Sequence, residues 1–250
     1  MGIIVKNSVA LEKMRVAGRI VARAHEEVEK YVKPGISTYE LDMIIAEYIK
    51  SQDATASFLD YNGYPASTCI SLNDVIVHGI PSKDIILKEG DIVGIDIGAY
   101  KDGFHGDAAR THGVGNISED ARLLIDRTKE SYFKSIEYAK AKHHLYEISA
   151  AIEDYIKPFG YGIVRDFIGH GIGKHLHEAP EIPHFKVKVR GPKLEKGMTL
   201  CVEPMINMGT HRCKVLGDGW TAKTLDGSLS AHYENTLAVT DGEPEILTLV

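Results

Sequence analysis

The chain repeats part of its own sequence at a fixed offset of 107 residues. Segment 39–50 (YELDMIIAEYIK) overlays segment 146–157 (YEISAAIEDYIK) with six identities in twelve positions. Segment 87–96 overlays segment 194–203 at the same offset and in the same order. Two matches at one offset indicate a duplicated α+β unit rather than a short-period solenoid. The sequence therefore predicts two similar halves.

The predicted elements favour an α+β fold. We predict one domain over 1–250, with halves of roughly 1–115 and 116–250. Apolar spacing and helix-start residues predict helices that begin near Leu11, Ser37, Ser118 and Tyr146, the third running towards Ala141. Short β-rich runs between turn residues predict strands at 91–100, 104–111, 198–205, 235–240 and 246–250. Helices segregated from hairpins favour an antiparallel sheet covered by helices on one face, with pseudo-two-fold symmetry.

Composition narrows the class of protein. The net charge of −6 argues against a general nucleic-acid binder. No apolar run approaches the roughly 20 residues that span a bilayer, and the first residues lack a secretory signal. Cys69, Cys201 and Cys213 lack CxxC spacing, which excludes a disulfide framework and a thiolate zinc cage. We expect a cytoplasmic, monomeric enzyme without membrane or nucleic-acid partners.

A hairpin brings two acidic residues together. Strand alternation places Asp96 on the face opposite its apolar neighbours. If the turn is centred between Lys101 and Asp102, Asp96 faces Asp107 with Cβ atoms roughly 5 Å apart, and a slightly later turn shifts this pairing. Such a pair shares a proton as an aspartic-peptidase-like dyad, gains a basic partner such as Arg110, or binds a cation. The hairpin alone leaves all three open.

Three further residues bear on the choice among these three explanations. His170 lies in a glycine-rich HGIG segment, which lacks the lysine and the helix start of a phosphate loop. Glu203 ends an apolar strand and Glu234 leads into another, although each alone could be a surface acid. Four carboxylates and one imidazole suit two divalent ions about 3.5–4 Å apart. A lone zinc would more usually take more histidine or cysteine.

Six ordered motifs carry a resemblance to a known family over nearly the whole chain. They are Val77-His78-Gly79-Ile80-Pro81, the Asp96 and Asp107 hairpin, Gly169-His170-Gly171-Ile172-Gly173, His177-Glu178-Ala179-Pro180, Val202-Glu203-Pro204-Met205 and Tyr233-Glu234. Together they resemble the type I methionine aminopeptidases of the short bacterial kind. The resemblance implies a pita-bread fold, in which two pseudo-symmetric α+β halves surround a dinuclear centre.

The resemblance also implies the ligand set. Asp96 would chelate one metal, Asp107 and Glu234 would bridge both metals, and His170 and Glu203 would complete the second site. Cobalt, manganese, iron and zinc all fit these donors. The implied reaction is hydrolytic removal of the initiator methionine from nascent proteins with a small second residue, by hydroxide that the metal pair activates. Nascent amino termini are the implied partners, with transient proximity to the ribosome.

The remaining implied roles concern the substrate. Glu203 would shuttle a proton to the leaving amine, while His78 and His177 would bind the scissile peptide and stabilise its oxyanion. The implied methionine pocket, which could instead be ordinary core packing, contains Phe58, Tyr61, Tyr64, Cys69, Leu176 and Trp220. Phe58 often corresponds to cysteine in the family and Leu176 to phenylalanine, and Asn235 replaces a common histidine. A monovalent cation would be held by Asn73, Val75 and Ser230.

Two other functions compete with this interpretation. Aminopeptidase P and prolidase share the five ligands, but usually carry a long additional amino-terminal domain. A non-catalytic pita-bread module would bind peptide or nucleic acid, and such modules typically lose ligands. The complete ligand set here favours a peptidase.

Overall fold

The computed structural model describes residues 2–249. Its α-helices are α1 Ser8–Glu29, α2 Thr38–Ser51, α3 Glu119–Ile136 and α4 Leu145–Ile156, with short 3-10 helices at Tyr61–Gly63 and Lys157–Phe159. Its strands are β1 Thr55–Ala56, β2 Cys69–Leu72, β3 Val75–Val77, β4 Ile92–Lys101, β5 Phe104–Gly113, β6 Gly162–Ile163, β7 Gly169–Gly171, β8 Glu178–Ile182, β9 Thr199–Val202, β10 Met205–Asn207, β11 Cys213–Val215, β12 Ala222–Thr224, β13 Ser230–His232, β14 Asn235–Ala238 and β15 Glu245–Ile246.

The helices begin and end where their backbone groups find partners. The capping box predicted at the start of α2 is confirmed, because Ser37 and Glu40 each accept a hydrogen bond from the other's backbone N–H. The predicted end of α3 near Ala141 is wrong, since the helix stops at Ile136. Beyond it the N–H of Ala141 bonds the carbonyl of Thr240, a contact that a longer helix would prevent.

The hairpin of β4 and β5 corrects the predicted pairing of the two aspartates. Its turn is Asp102-Gly103, with φ angles of 51° and 87°, the left-handed backbone typical of two-residue hairpin loops. The register pairs Asp96 with Ala109 and Asp107 with Gly98. The predicted direct opposition is therefore wrong. The two aspartates are diagonal neighbours on one face, where their side chains still meet.

The strand predicted at 198–205 is two strands, β9 and β10. They separate at Glu203 and Pro204, because proline has no N–H with which to continue a ladder. β9 pairs with β7 and β14, whereas β10 pairs with β6 and β13. The predicted strand at 246–250 is reduced to Glu245–Ile246, and Val250 lies outside the described residues.

Helices and strands divide into two layered cores. The predicted antiparallel sheet structure covered by helices is confirmed, and within residues 2–249 the strands form four antiparallel sheets. One buried apolar cluster joins α1 and α2 to β4 and β5, and a second joins α3 and α4 to β9 and β14. A third, smaller cluster contains Met14, Phe58 and Leu176 and forms one side of the cavity described below. Each helix pair thus packs on strands of its own half.

The offset of 107 recurs in the structure. Helices α2 and α4 start at residues 38 and 145, and strands β4 and β9 start at 92 and 199, so both pairs are 107 residues apart.

Within residues 2–249, no helix has the length and apolar character needed to span a membrane.

Candidate metal centre

The five predicted metal ligands meet at one cavity of about 190 Å³. They are Asp96 on β4, Asp107 on β5, His170 on β7, Glu203 after β9 and Glu234 before β14. The Nε2 atom of His170 lies 3.5 Å from the Oε1 atom of Glu203. The convergence expected from the sequence is therefore present, while the role of each residue as a ligand stays a prediction.

Burial and mutual repulsion oppose ionisation of these carboxyl groups. Asp107 and Glu234 are only 3% and 2% exposed. Burial first, and then the charge of Glu234, raises the pKa of Asp96, Asp107 and Glu203 well above the usual range. Burial raises the pKa of Glu234 to about 7. A bound dication would reverse these preferences, because positive charge stabilises ionised carboxylates.

The hydrogen-bonding state of the cluster fits a divalent metal. Asp96, Asp107, Glu203 and Glu234 each hold one buried carboxyl oxygen that has no hydrogen-bond partner among residues 2–249. Buried polar atoms are normally bonded, so four unmatched oxygens at one point imply a cationic partner. Arg110, the alternative basic partner, instead donates to the backbone carbonyls of Ala109 and Glu234.

His170 is held in the state that a metal requires. Its Nδ1 lies 2.8 Å from the carbonyl oxygen of Gly171 and must donate to it, since a carbonyl only accepts. The proton therefore sits on Nδ1 and the lone pair on Nε2, on the side of Glu203. Burial lowers the pKa of His170 to about 3, so the ring is neutral at pH 7. A neutral imidazole with one nitrogen fixed by a carbonyl is the usual form of a histidine ligand.

The two other predicted histidines lie on the same cavity. The Nδ1 atom of His177 is 2.7 Å from the hydroxyl of Tyr61, a contact that orients the ring and leaves Nε2 free. His78 has a φ of 59°, and its ring packs edge-on against Phe167. Burial lowers the pKa of His78 to about 4 and also lowers the pKa of His177. Both imidazoles are therefore neutral hydrogen-bonding groups at pH 7.

An apolar pocket adjoins the carboxylates. The six residues predicted to hold methionine all line the same cavity: Phe58, Tyr61, Tyr64, Cys69, Leu176 and Trp220. The ring of Tyr64 meets Trp220 edge-on at 5.1 Å, and its hydroxyl donates to the carbonyl of Gly79. Aromatic edges beside a thiol form a surface suited to a polarizable thioether. The assignment of these residues to substrate stays a prediction.

The residues predicted to hold a monovalent cation lie apart from the lining of this cavity. The N–H of Ser230 donates to the carbonyl of Asn73 at 2.9 Å, so these two residues are in contact. Val75 lies two residues beyond Asn73, at the start of β3. The side-chain oxygen of Asn73 already accepts from the N–H of Ile92. The cation assignment therefore stays a prediction.

Two residues at the site were missed by the sequence interpretation. Asn62 lines the cavity from the left-handed turn at Tyr61–Gly63, a conformation that sequence periodicity does not reveal. Cys201 lies among the predicted metal ligands, with its sulfur close to Asp107, His170 and Glu234. Strand alternation was the available signal, because Cys201 precedes Glu203 by two residues and so points to the same face.

Comparison with known proteins identifies the family. The model of metallopeptidase family M24 matches residues 12–241. The chain belongs to this family. A methionine aminopeptidase of Clostridium acetobutylicum is 51% identical over 99% of both chains. The crystal structure of a methionine aminopeptidase from Thermotoga maritima superposes with a TM-score of 0.98 at 40% identity, covering all of both chains.

A more distant member of the fold provides a contrast. A prolidase from Pyrococcus furiosus superposes with a TM-score of 0.79, but at 24% identity, and the match covers 66% of that longer chain. This likeness concerns the fold alone. The M24 chain thus has the pita-bread fold expected from its motifs, and family membership favours a metal over the proton-sharing dyad.

Proposed function

We propose that this M24 chain is a methionyl aminopeptidase, which removes the initiator methionine from new polypeptides whose second residue is small. One observation carries the proposal: five predicted ligands, two neutral histidines and an apolar pocket line a single cavity. The methionine aminopeptidases reported above support it, since each matches this chain over nearly its whole length.

The metal site is proposed at Asp96, Asp107, His170, Glu203 and Glu234. Two divalent ions held there would lower the pKa of water and polarise the scissile carbonyl. Their charge would also ionise the carboxyl groups that burial otherwise keeps protonated. Which of cobalt, manganese, iron or zinc is used depends on availability as well as on the donors.

The chain's own residues supply the remaining chemistry. Glu203 would carry a proton from the attacking water to the leaving nitrogen, a role that suits a carboxyl group whose pKa is raised by burial. His177 would donate from Nε2 to the scissile peptide, because Tyr61 holds its other nitrogen. His78, which lines the same cavity, would stabilise the oxyanion. The carboxylate cluster would draw in the free α-amino group of the substrate.

Other features of the function rest on the same proposal. We propose nascent amino termini as substrates, met in the cytoplasm near the ribosome by a monomeric enzyme. Asn73, Val75 and Ser230 are proposed to hold a monovalent cation, supported by the contact between Ser230 and Asn73. The proposed boundaries of the two halves, 1–115 and 116–250, are supported by the paired element starts.

A peptide-release assay tests the proposal. The metal-loaded enzyme should release methionine from a Met-Ala peptide and should leave the acetylated form of that peptide intact. The Asp96→Asn variant should be inactive on both. Preferential cleavage of an Ala-Pro peptide would overturn the methionine assignment in favour of the proline-specific branch of the fold.

A further inference from the structure

We propose that Cys201 is an additional ligand of the metal centre, giving this chain a soft sulfur donor for thiophilic divalent ions such as zinc and cadmium. The inference rests on the proposed metal site and extends its ligand set beyond the five residues named above.

The position of the sulfur supports this role. Single ligand atoms of Asp107, His170, Cys201 and Glu234 all lie within 4.8 Å of one another, and the side chain of Cys201 is fully buried. The backbone fixes that position, because Cys201 pairs with His170 on β7 and with Thr236 on β14. The two ladders therefore hold the backbone of Cys201 directly beside His170.

The neighbouring oxygens point to a ligand independently of the cysteine. Asp107 Oδ1 and Glu234 Oε1 are buried and lack hydrogen-bond partners among the residues that the structure describes. The sulfur itself has one long contact, 3.4 Å to the hydroxyl of Thr236. A cation placed between these oxygens would therefore lie next to the sulfur of Cys201.

Metal binding by this thiol needs no oxidant or reductant. The thiol would bind as a thiolate: the S–H bond would break, the proton would pass to solvent, and the sulfur electron pair would form the bond to the metal. Sulfur beside nitrogen and oxygen donors shifts preference from manganese towards zinc and cadmium.

Cys69 provides a matched control within the same cavity. It is 6% exposed, pairs with Asp96 across β2 and β4, and lines the apolar pocket. Its sulfur is outside the four-residue cluster that contains Cys201. The two buried thiols therefore differ in position relative to the proposed metals rather than in exposure.

X-ray absorption of the protein loaded with one equivalent of zinc tests the inference. A sulfur ligand adds scattering at about 2.3 Å, distinct from nitrogen and oxygen at about 2.0–2.2 Å. We expect this signal in the parent protein and in Cys69→Ser, and its loss in Cys201→Ser with zinc still bound. If Cys201→Ser does not fold, the absence of sulfur scattering in the parent, or its loss in Cys69→Ser, still overturns the inference.

The possible failures are distinguishable. Zinc bound by oxygen and nitrogen alone in the parent would overturn the thiol ligand and leave the aminopeptidase proposal standing. Sulfur scattering that persists in Cys201→Ser would also overturn it. Failure of the parent to bind zinc, manganese or cobalt at all would overturn both this inference and the proposed metal site.

Discussion

The two halves bring carboxylates to the centre by different routes. In the first half, Asp96 and Asp107 lie on strands joined by the two-residue turn Asp102-Gly103. In the second half, Glu203 and Glu234 flank paired strands β9 and β14, but four strands, β10 to β13, intervene along the chain. One pair is therefore built by local contacts and the other by contacts between distant segments. The chemistry proposed at the centre nevertheless needs both pairs.

The largest expected effect tests whether the carboxylate pairs of the two halves are equally necessary for activity. Asp107→Asn and Glu234→Gln should each lower kcat/KM for methionine release from a Met-Ala peptide by at least about a thousandfold. Each variant removes a negative charge from the proposed metal site, and we expect the loss to destabilise the transition state by several kcal/mol. Asp102→Asn, in the turn, should stay near parental activity because asparagine tolerates the left-handed backbone. If only one of the two site variants lost activity, the equivalence of the halves would be wrong.

The second prediction concerns a long-range ion pair that joins the first half to the second. Lys6 Nζ lies 2.6 Å from the Oε2 atom of Glu178, with both side chains at most 4% exposed, beside His177. Lys6→Met should lower the free energy of unfolding by about 3–5 kcal/mol, because it leaves a buried carboxylate unpaired. Urea denaturation measures this.

The double variant Lys6→Met with Glu178→Gln provides the control. It should recover part of the lost stability, since no unpaired charge remains. Equal stability of the single and double variants would show that the ion pair does not fix the loop before β8.

The third prediction uses the pKa of Glu234. Burial raises it from 4.5 to about 7, so between these pH values the native chain binds more protons than the unfolded chain and loses stability as pH rises. The quantity to measure is the unfolding free energy of Glu234→Gln minus that of the parent, both treated with a chelator. This difference should increase by on the order of 3 kcal/mol from pH 4.5 to above pH 7.

The comparison between variant and parent matters because buried histidines titrate in the opposite sense. Their lowered pKa values, such as about 3 for His170, add stability as pH rises from about 3 to 6.5. Taking the difference between Glu234→Gln and the parent cancels this contribution. A difference that is independent of pH would contradict the raised pKa of Glu234.

The smallest effect is expected in the turn of the first half. Gly103 has a φ of 87° with open space where a Cβ atom would lie, so Gly103→Ala should cost about 1–2 kcal/mol from backbone strain alone. Gly217, which also faces open space but has no left-handed φ, is the matched control for alanine substitution. Equal stability changes would show that the turn does not fix the hairpin.

The same contrast explains what the sequence could predict. Helix caps, the alternation around Asp96 and the presence of a hairpin depend on neighbouring residues, and these predictions are confirmed. The exact register failed because one residue of turn position displaces every pair along both strands. The break at Pro204 is a local effect of proline that the strand prediction overlooked. The division into separate sheets depends on distant partners, which residue spacing alone does not specify.

The site was predictable mainly through its motifs. The hairpin alone left three explanations for Asp96 and Asp107, residue chemistry added His170, Glu203 and Glu234 as a candidate metal set, and the ordered motifs implied a role for each. The hydroxyl contact from Tyr61 to His177 required coordinates. Such contacts arise between strands and loops that the chain order keeps apart, so no local pattern reveals them.

Metal stoichiometry tests the central claim most directly. Elemental analysis of the purified protein equilibrated with manganese or cobalt should give two divalent ions per chain, and fewer in Asp107→Asn and in Glu234→Gln. A parent protein that retained no more metal than these variants would contradict the account, because its buried carboxylates would then require a different partner.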